Sequence, residues 1–137
     1  MNKALTPIFL ALVLNLLSVA QAAEPSASAG PNAYFSIQEP FTINFLNQSQ
    51  QKVRYLQIRV ALKSDDPAII QNAELNLPMI QDALRILFTD QNYETVSTVV
   101  GRERLQQQAL EKVRQLLAEE TGSDGLEQVY FTRFILQ

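Results

Sequence analysis

The sequence has 137 residues, 47% of them hydrophobic, with fourteen acidic side chains against eleven basic ones and a formal net charge of −3. It contains no cysteine and no histidine. Disulfide stapling is therefore excluded, and the usual neutral-pH acid–base residue and thiol nucleophile are both missing. A mildly acidic chain without a basic cluster is also a poor partner for nucleic acid or anionic lipid.

The first residues read as a targeting segment. After Met1-Asn2-Lys3 no charge appears until Glu24, and Ile8 to Leu14 forms an apolar centre. Ala20-Gln21-Ala22, followed by Ala23, supplies the small-x-small pattern of a signal peptidase site. Residues 1–22 thus read as a signal peptide. The competing reading is an uncleaved anchor, since Ala4 to Ala23 as a helix reaches across about 30 Å of hydrocarbon. Either reading puts the rest of the chain outside the cytoplasmic membrane. Residues 23–33 are small and polar, with two prolines, and read as a linker. Residues 34–137 remain as one domain, long enough for an independent core.

Within that domain Phe41 to Leu46 alternates as a strand, and Val53 to Lys63 alternates over a longer run. In the second run Leu56, Ile58, Val60 and Leu62 share one face; Tyr55, Gln57, Arg59, Ala61 and Lys63 share the other. The pair predicts an antiparallel hairpin with one buried face. Ser64-Asp65-Asp66-Pro67 marks a helix start, and the helix over Ala68 to Asn76 meets Pro78, which either kinks it or begins a second one. Beyond it, Met79, Ala83 and Leu87 form one apolar row and Ile80, Leu84 and Phe88 another. Tyr93 to Val100 is short and β-branched, and its type stays open. Gly101 to Glu120 predicts a helix with Leu105, Ala109, Val113, Leu116 and Leu117 inward and Arg104, Gln107, Glu111 and Arg114 outward. Thr121 to Gly125 turns the chain into Val129 to Gln137. In strict alternation this last run places Val129, Phe131, Arg133 and Ile135 on one face and Tyr130, Thr132, Phe134 and Leu136 on the other. Both faces are mostly apolar, which predicts a strand inside a sheet. The sum is an α+β domain, a small antiparallel sheet with helices packed on one face.

Five blocks in order carry a family resemblance: Pro40 to Phe45, Tyr55 to Leu62, Pro78 to Leu84, Gly101 to Leu105, and Val129 to Gln137. Together they resemble the FliL family of flagellar basal-body proteins over residues 34–137. The resemblance implies a periplasmic, stomatin-like (SPFH-like) domain. It also implies rings that associate with flagellar stator proteins and the basal body to support motility and torque. Typical members resemble a short cytoplasmic tail followed by an uncleaved membrane helix. This chain departs there, starting almost directly in its apolar run. Its expected membrane association is therefore through the N-terminal segment or through partners.

Nothing in the inventory points to catalysis, a cofactor or a metal. No base accompanies Ser36, Ser49, Ser64, Ser97 or Ser123, and the carboxylate pairs Asp65-Asp66 and Glu119-Glu120 are adjacent residues that do not face each other on a helix. Thr121 to Gly125 has one carboxylate and lacks the spacing of a calcium loop. The interaction candidates are Tyr55, Gln57 and Arg59 on the wetter strand face, with Tyr130, Arg133 and Phe134 on the last strand, because aromatic and Arg side chains are enriched at protein contacts. The alternative is that the aromatics pack against the helices while Arg133 reaches solvent at the sheet edge. The expectation is a non-enzymatic, self-assembling, stator-associated protein; the alternative is a soluble periplasmic relative acting as scaffold or chaperone-like binder of another envelope complex.

Overall fold

The computed structural model describes residues 33–45 and 53–137. The expected signal or anchor segment, most of the linker, and Ala20, Ala22 and Ala23 lie outside the described residues. The sheet is organised around β3 (Tyr55–Ser64), whose alternate side chains Leu56, Ile58, Val60 and Leu62 are fully buried. On one side β3 pairs with β2 (Phe41–Asn44) along its first half and with β1 (Ala33–Ser36) along its second. On the other it pairs with β4 (Gln128–Leu136), and every pairing is antiparallel. β1 had no counterpart in the sequence reading. Ala33, expected in the linker, sits opposite Ser64 in the sheet. Between β1 and β2, Ile37 N–H donates to the Val60 carbonyl at 2.9 Å, so the two short strands act as one interrupted edge.

The helices follow their caps. Asp66, not Ser64, caps α1 (Pro67–Leu75), accepting from Ala68 N–H at 2.9 Å. Ser64 is the buried end of β3, where its hydroxyl accepts from Asp66 N–H and donates to the Gly125 carbonyl. Asn76 ends α1, and Pro78 stands in the first turn of α2 (Leu77–Thr89), so the proline starts a helix rather than kinking one. The open segment resolves as helix. Asn92 caps α3 (Tyr93–Val96) and Thr98 caps α4 (Val99–Thr121), and these side-chain bonds outweigh the β-branched composition of Thr95 to Val100. Gly122, at φ 73°, closes α4 in the left-handed conformation that glycine adopts without strain.

The four helices of the described residues serve one face of the sheet. The β3 row packs with Ile80, Leu84 and Phe88 of α2 and with Leu105, Ala109, Val113 and Leu117 of α4 in a single cluster. Phe88 makes edge-to-face contacts with Phe41 and Phe131 at 5.1 and 5.7 Å between ring centres. Of the second α2 row, Met79 is 44% exposed while Ala83 and Leu87 are half-buried, because α4 covers only one flank of α2. On α4, Leu110 is buried and Leu116 only partly so. Arg114 is half-buried rather than outward.

Two expectations for the last strand are overturned. Among the described residues β4 pairs only with β3, so it is an edge strand, not an interior one. Its strict alternation also fails. Val60 faces Phe131 but Arg59 faces Arg133, leaving Thr132 as an extra residue in a β-bulge. The bulge shifts the side-chain phase by one. Val129, Phe131, Phe134 and Leu136 therefore lie on the core face, and Tyr130, Arg133 and Ile135 on the other. A bulge and a charge at mid-strand are both devices that blunt an open edge.

Candidate partner interface

The sheet face turned away from the helices has no cover among the described residues. β3 contributes Tyr55, Gln57 and Arg59 to it, and β4 contributes Tyr130 and Arg133. Five of the six interaction candidates thus come together on one surface. The sixth does not. Phe134 sits opposite Ile58 on the core side, half-buried, stacked on Phe131 at 6.0 Å and covered by the Arg102 guanidinium 5.4 Å above its ring. Phe134 thus packs against Phe131 and Arg102 instead of facing this surface.

The centre of the surface is the Arg59–Arg133 pair. The two are directly opposed across the β3–β4 ladder, and both are exposed. At the bulge itself, Thr132 Oγ1 donates to the Arg59 carbonyl at 3.5 Å. Neither guanidinium forms a salt bridge among the described residues; the ion pair found there is Lys63–Glu127, at 3.2 Å. Like charges directly opposite each other destabilise a sheet. Here the bulge creates that arrangement, since an unbulged strand would turn Arg133 inward.

Around this pair the surface is aromatic and apolar. Tyr34 of β1, 59% exposed, stacks at a tilt on Tyr130 with 6.3 Å between ring centres. Ala61, opposite Tyr130 in the ladder, is only 5% exposed although it lies on the outer face. Ile135 stands opposite Gln57. Tyr55 donates its hydroxyl to the Gln137 side chain, and the two backbones exchange hydrogen bonds at 2.8 and 3.0 Å. Sequence reasoning missed Tyr34 and Ile135. Tyr34 needed β1 to be recognised, and Ile135 needed the bulge.

One corner of the surface carries coupled charges. Hydrogen bonding to Glu127, with some desolvation, raises the Asp65 pKa. Hydrogen bonding to Asp65 and the nearby Lys63 ammonium lower that of Glu127. The Glu127 hydrogen bond in turn raises the Lys63 pKa. No group of three His, Cys, Asp or Glu side chains able to hold a metal occurs among the described residues. Nor is any described helix long and apolar enough to cross a membrane.

A family model described as "Flagellar basal body-associated protein FliL" matches residues 34–137. The chain belongs to the FliL family. The match spans all the described strands and helices apart from Ala33, so the surface around Arg59 and Arg133 is part of the family domain. A curated relative, the "Flagellar protein FliL" of Aquifex aeolicus (strain VF5), is 25% identical over 103 residues, which is 75% of this chain. The chain spans 60% of that relative's length. FliL is a structural family of the flagellar basal body rather than an enzyme family.

Proposed function

We propose that this FliL-family chain works in the periplasm by binding alone, assembling with copies of itself and with the flagellar motor stator. Contacts made preferentially to the engaged stator shift its population toward the assembled, force-bearing state. The single observation that carries this reading is the open sheet face, where Arg59 and Arg133 stand exposed, with no salt bridge among the described residues, beside aromatic and apolar neighbours. Desolvated Arg and aromatic side chains are the usual anchors of protein interfaces. The two-layer domain is consistent with a stomatin-like fold, and residues 1–32 would deliver it to the periplasm as a signal or anchor followed by a linker.

Deletion of the gene is expected to reduce swimming on semi-solid or viscous medium, and tagged protein is expected to co-purify with stator components. Unchanged motility together with no stator co-purification would sink the reading. A second reading, a released periplasmic scaffold for another envelope complex, is favoured by Ala20-Gln21-Ala22 ahead of Ala23. Mass spectrometry of the mature N-terminus separates them: a start at Ala23 means release, and an intact Met1 means an anchor.

A further inference from the structure

The helical layer has an incomplete surface of its own. Between α2 and α4, on the side away from the sheet, lies a groove of about 260 Å³. Met79, Ile86 and Leu116 form its apolar walls; Asp82, Glu119 and Glu120 are among its rim residues, and Lys112 is its cation. Met79 and Ile86 are exposed, although apolar. Glu119 and Glu120 stand in the last turn of α4, which contains no basic residue. The partial negative charge of the helix C-terminus therefore adds to theirs. Such a groove suits an arginine, whose stem lies on apolar surface while its guanidinium meets carboxylates.

We propose that the sheet face and this groove are the two halves of one head-to-tail contact between copies of the chain. Arg59 and Arg133 of one copy enter the α2–α4 groove of the next, their stems against Met79 and Ile86 and their guanidinium groups on Glu119 and Glu120. The inference rests on the self-assembly part of the proposed function and names the surfaces that perform it. Charge complementarity selects the occupant: the Arg pair has no salt bridge among the described residues on one side of the molecule, and carboxylates dominate the groove rim on the opposite side. A sheet-to-sheet dimer would instead set four guanidinium groups against one another. Because the two faces differ, the contact is heterologous, and its repetition closes a ring or extends a filament.

The test uses the full-length chain in sedimentation velocity, with circular dichroism to verify each variant's fold. Arg59→Glu/Arg133→Glu and Glu119→Arg/Glu120→Arg are each expected to weaken association about tenfold or more, because each sets like charges against like. Their equimolar mixture is expected to assemble as the wild type does, since every sheet face then meets a groove of opposite charge. Wild-type assembly should also weaken between about 50 mM and about 500 mM salt. If one double variant is misfolded, Arg59→Gln/Arg133→Gln replaces it and is expected to weaken association, with what remains no longer depending on salt as the wild type's does. Variants that associate like the wild type while the wild type assembles would overturn this contact and leave self-assembly standing. That result would point to an acidic segment of another protein as the occupant. A wild type that stays monomeric at every concentration would overturn both.

Discussion

Arg114, on α4, donates through Nε to the carbonyl of Leu126 at 2.6 Å, with a longer bond from Nη2 to the carbonyl of Glu127 at 3.5 Å. The last turns of the long helix are thereby fastened to the chain segment that enters β4. Charge-assisted hydrogen bonds to backbone carbonyls contribute about 1.5–3 kcal/mol. Arg114→Ala is expected to lower unfolding stability by about 2 kcal/mol, with Arg114→Lys recovering part of it. Urea unfolding followed by circular dichroism checks this; an unchanged midpoint for Arg114→Ala would place the guanidinium in solvent.

Gly101 reverses a common rule. Replacing glycine by alanine inside a helix ordinarily stabilises by about 1 kcal/mol. Here a Cβ would stand 1.8 Å from the Thr95 carbonyl oxygen and 2.9 Å from Thr98 Oγ1, the atom that caps α4. Backbone must move to admit it. Gly101→Ala is therefore expected to destabilise by about 1–3 kcal/mol, and thermal melting gives the sign directly.

The Asp65–Glu127 pair makes a pH prediction. Glu127 has a lowered folded pKa, so its contribution is complete above its ordinary value near 4.5 and fades as pH falls through the folded value. Asp65 has a raised folded pKa, so its contribution is complete below its ordinary value near 3.8 and is lost as pH rises through the folded value. Asp65→Asn keeps a donor for Glu127 without a titrating proton. Its melting temperature is expected to match the wild type in the acid range and to exceed it at neutral pH. A difference that does not change with pH would mean that the two carboxyls are uncoupled.

The end of β4 is structural. Removing Phe134 to Gln137 takes away the Phe134 ring over the core, Leu136 opposite Leu56, and the paired backbone bonds between Tyr55 and Gln137. The truncated domain is expected to lose cooperative unfolding. Phe134→Ala alone, at a half-buried position, is expected to cost about 2 kcal/mol, below the 3–5 of a fully buried phenylalanine. A truncated protein that melts like the wild type would make these residues an interface element instead.

Much of the core was legible because it obeys simple periods. The β3 row from Leu56 to Leu62 and the α2 row of Ile80, Leu84 and Phe88 follow the periods of two and 3.6 that burial imposes. The departures came where a single local bond decides the matter. Asn92 and Thr98 turn a β-branched stretch into helix by satisfying its first amide groups. Four residues from Ala33 to Ser36 are too few for a period, and only pairing with β3 reveals them as a strand. The partner surface was half legible. Tyr55, Gln57 and Arg59 follow β3's alternation, whereas the placement of Arg133 and Phe134 depends on where the ladder slips. Ladder position is a pairing property that one strand's sequence does not contain.

The extra residue at Thr132 also governs how this strand is to be matched with its relatives. Upstream of it, odd-numbered positions such as Val129 and Phe131 reject charge; downstream, even-numbered ones such as Phe134 and Leu136 do. Tolerance scanned residue by residue along β4 should change parity at that point. A gapless comparison with a relative that has a regular last strand would equate solvent positions with core positions over the final residues. A one-residue gap at Thr132 restores the correspondence and distinguishes the relatives that turn an arginine outward opposite Arg59 from those that do not.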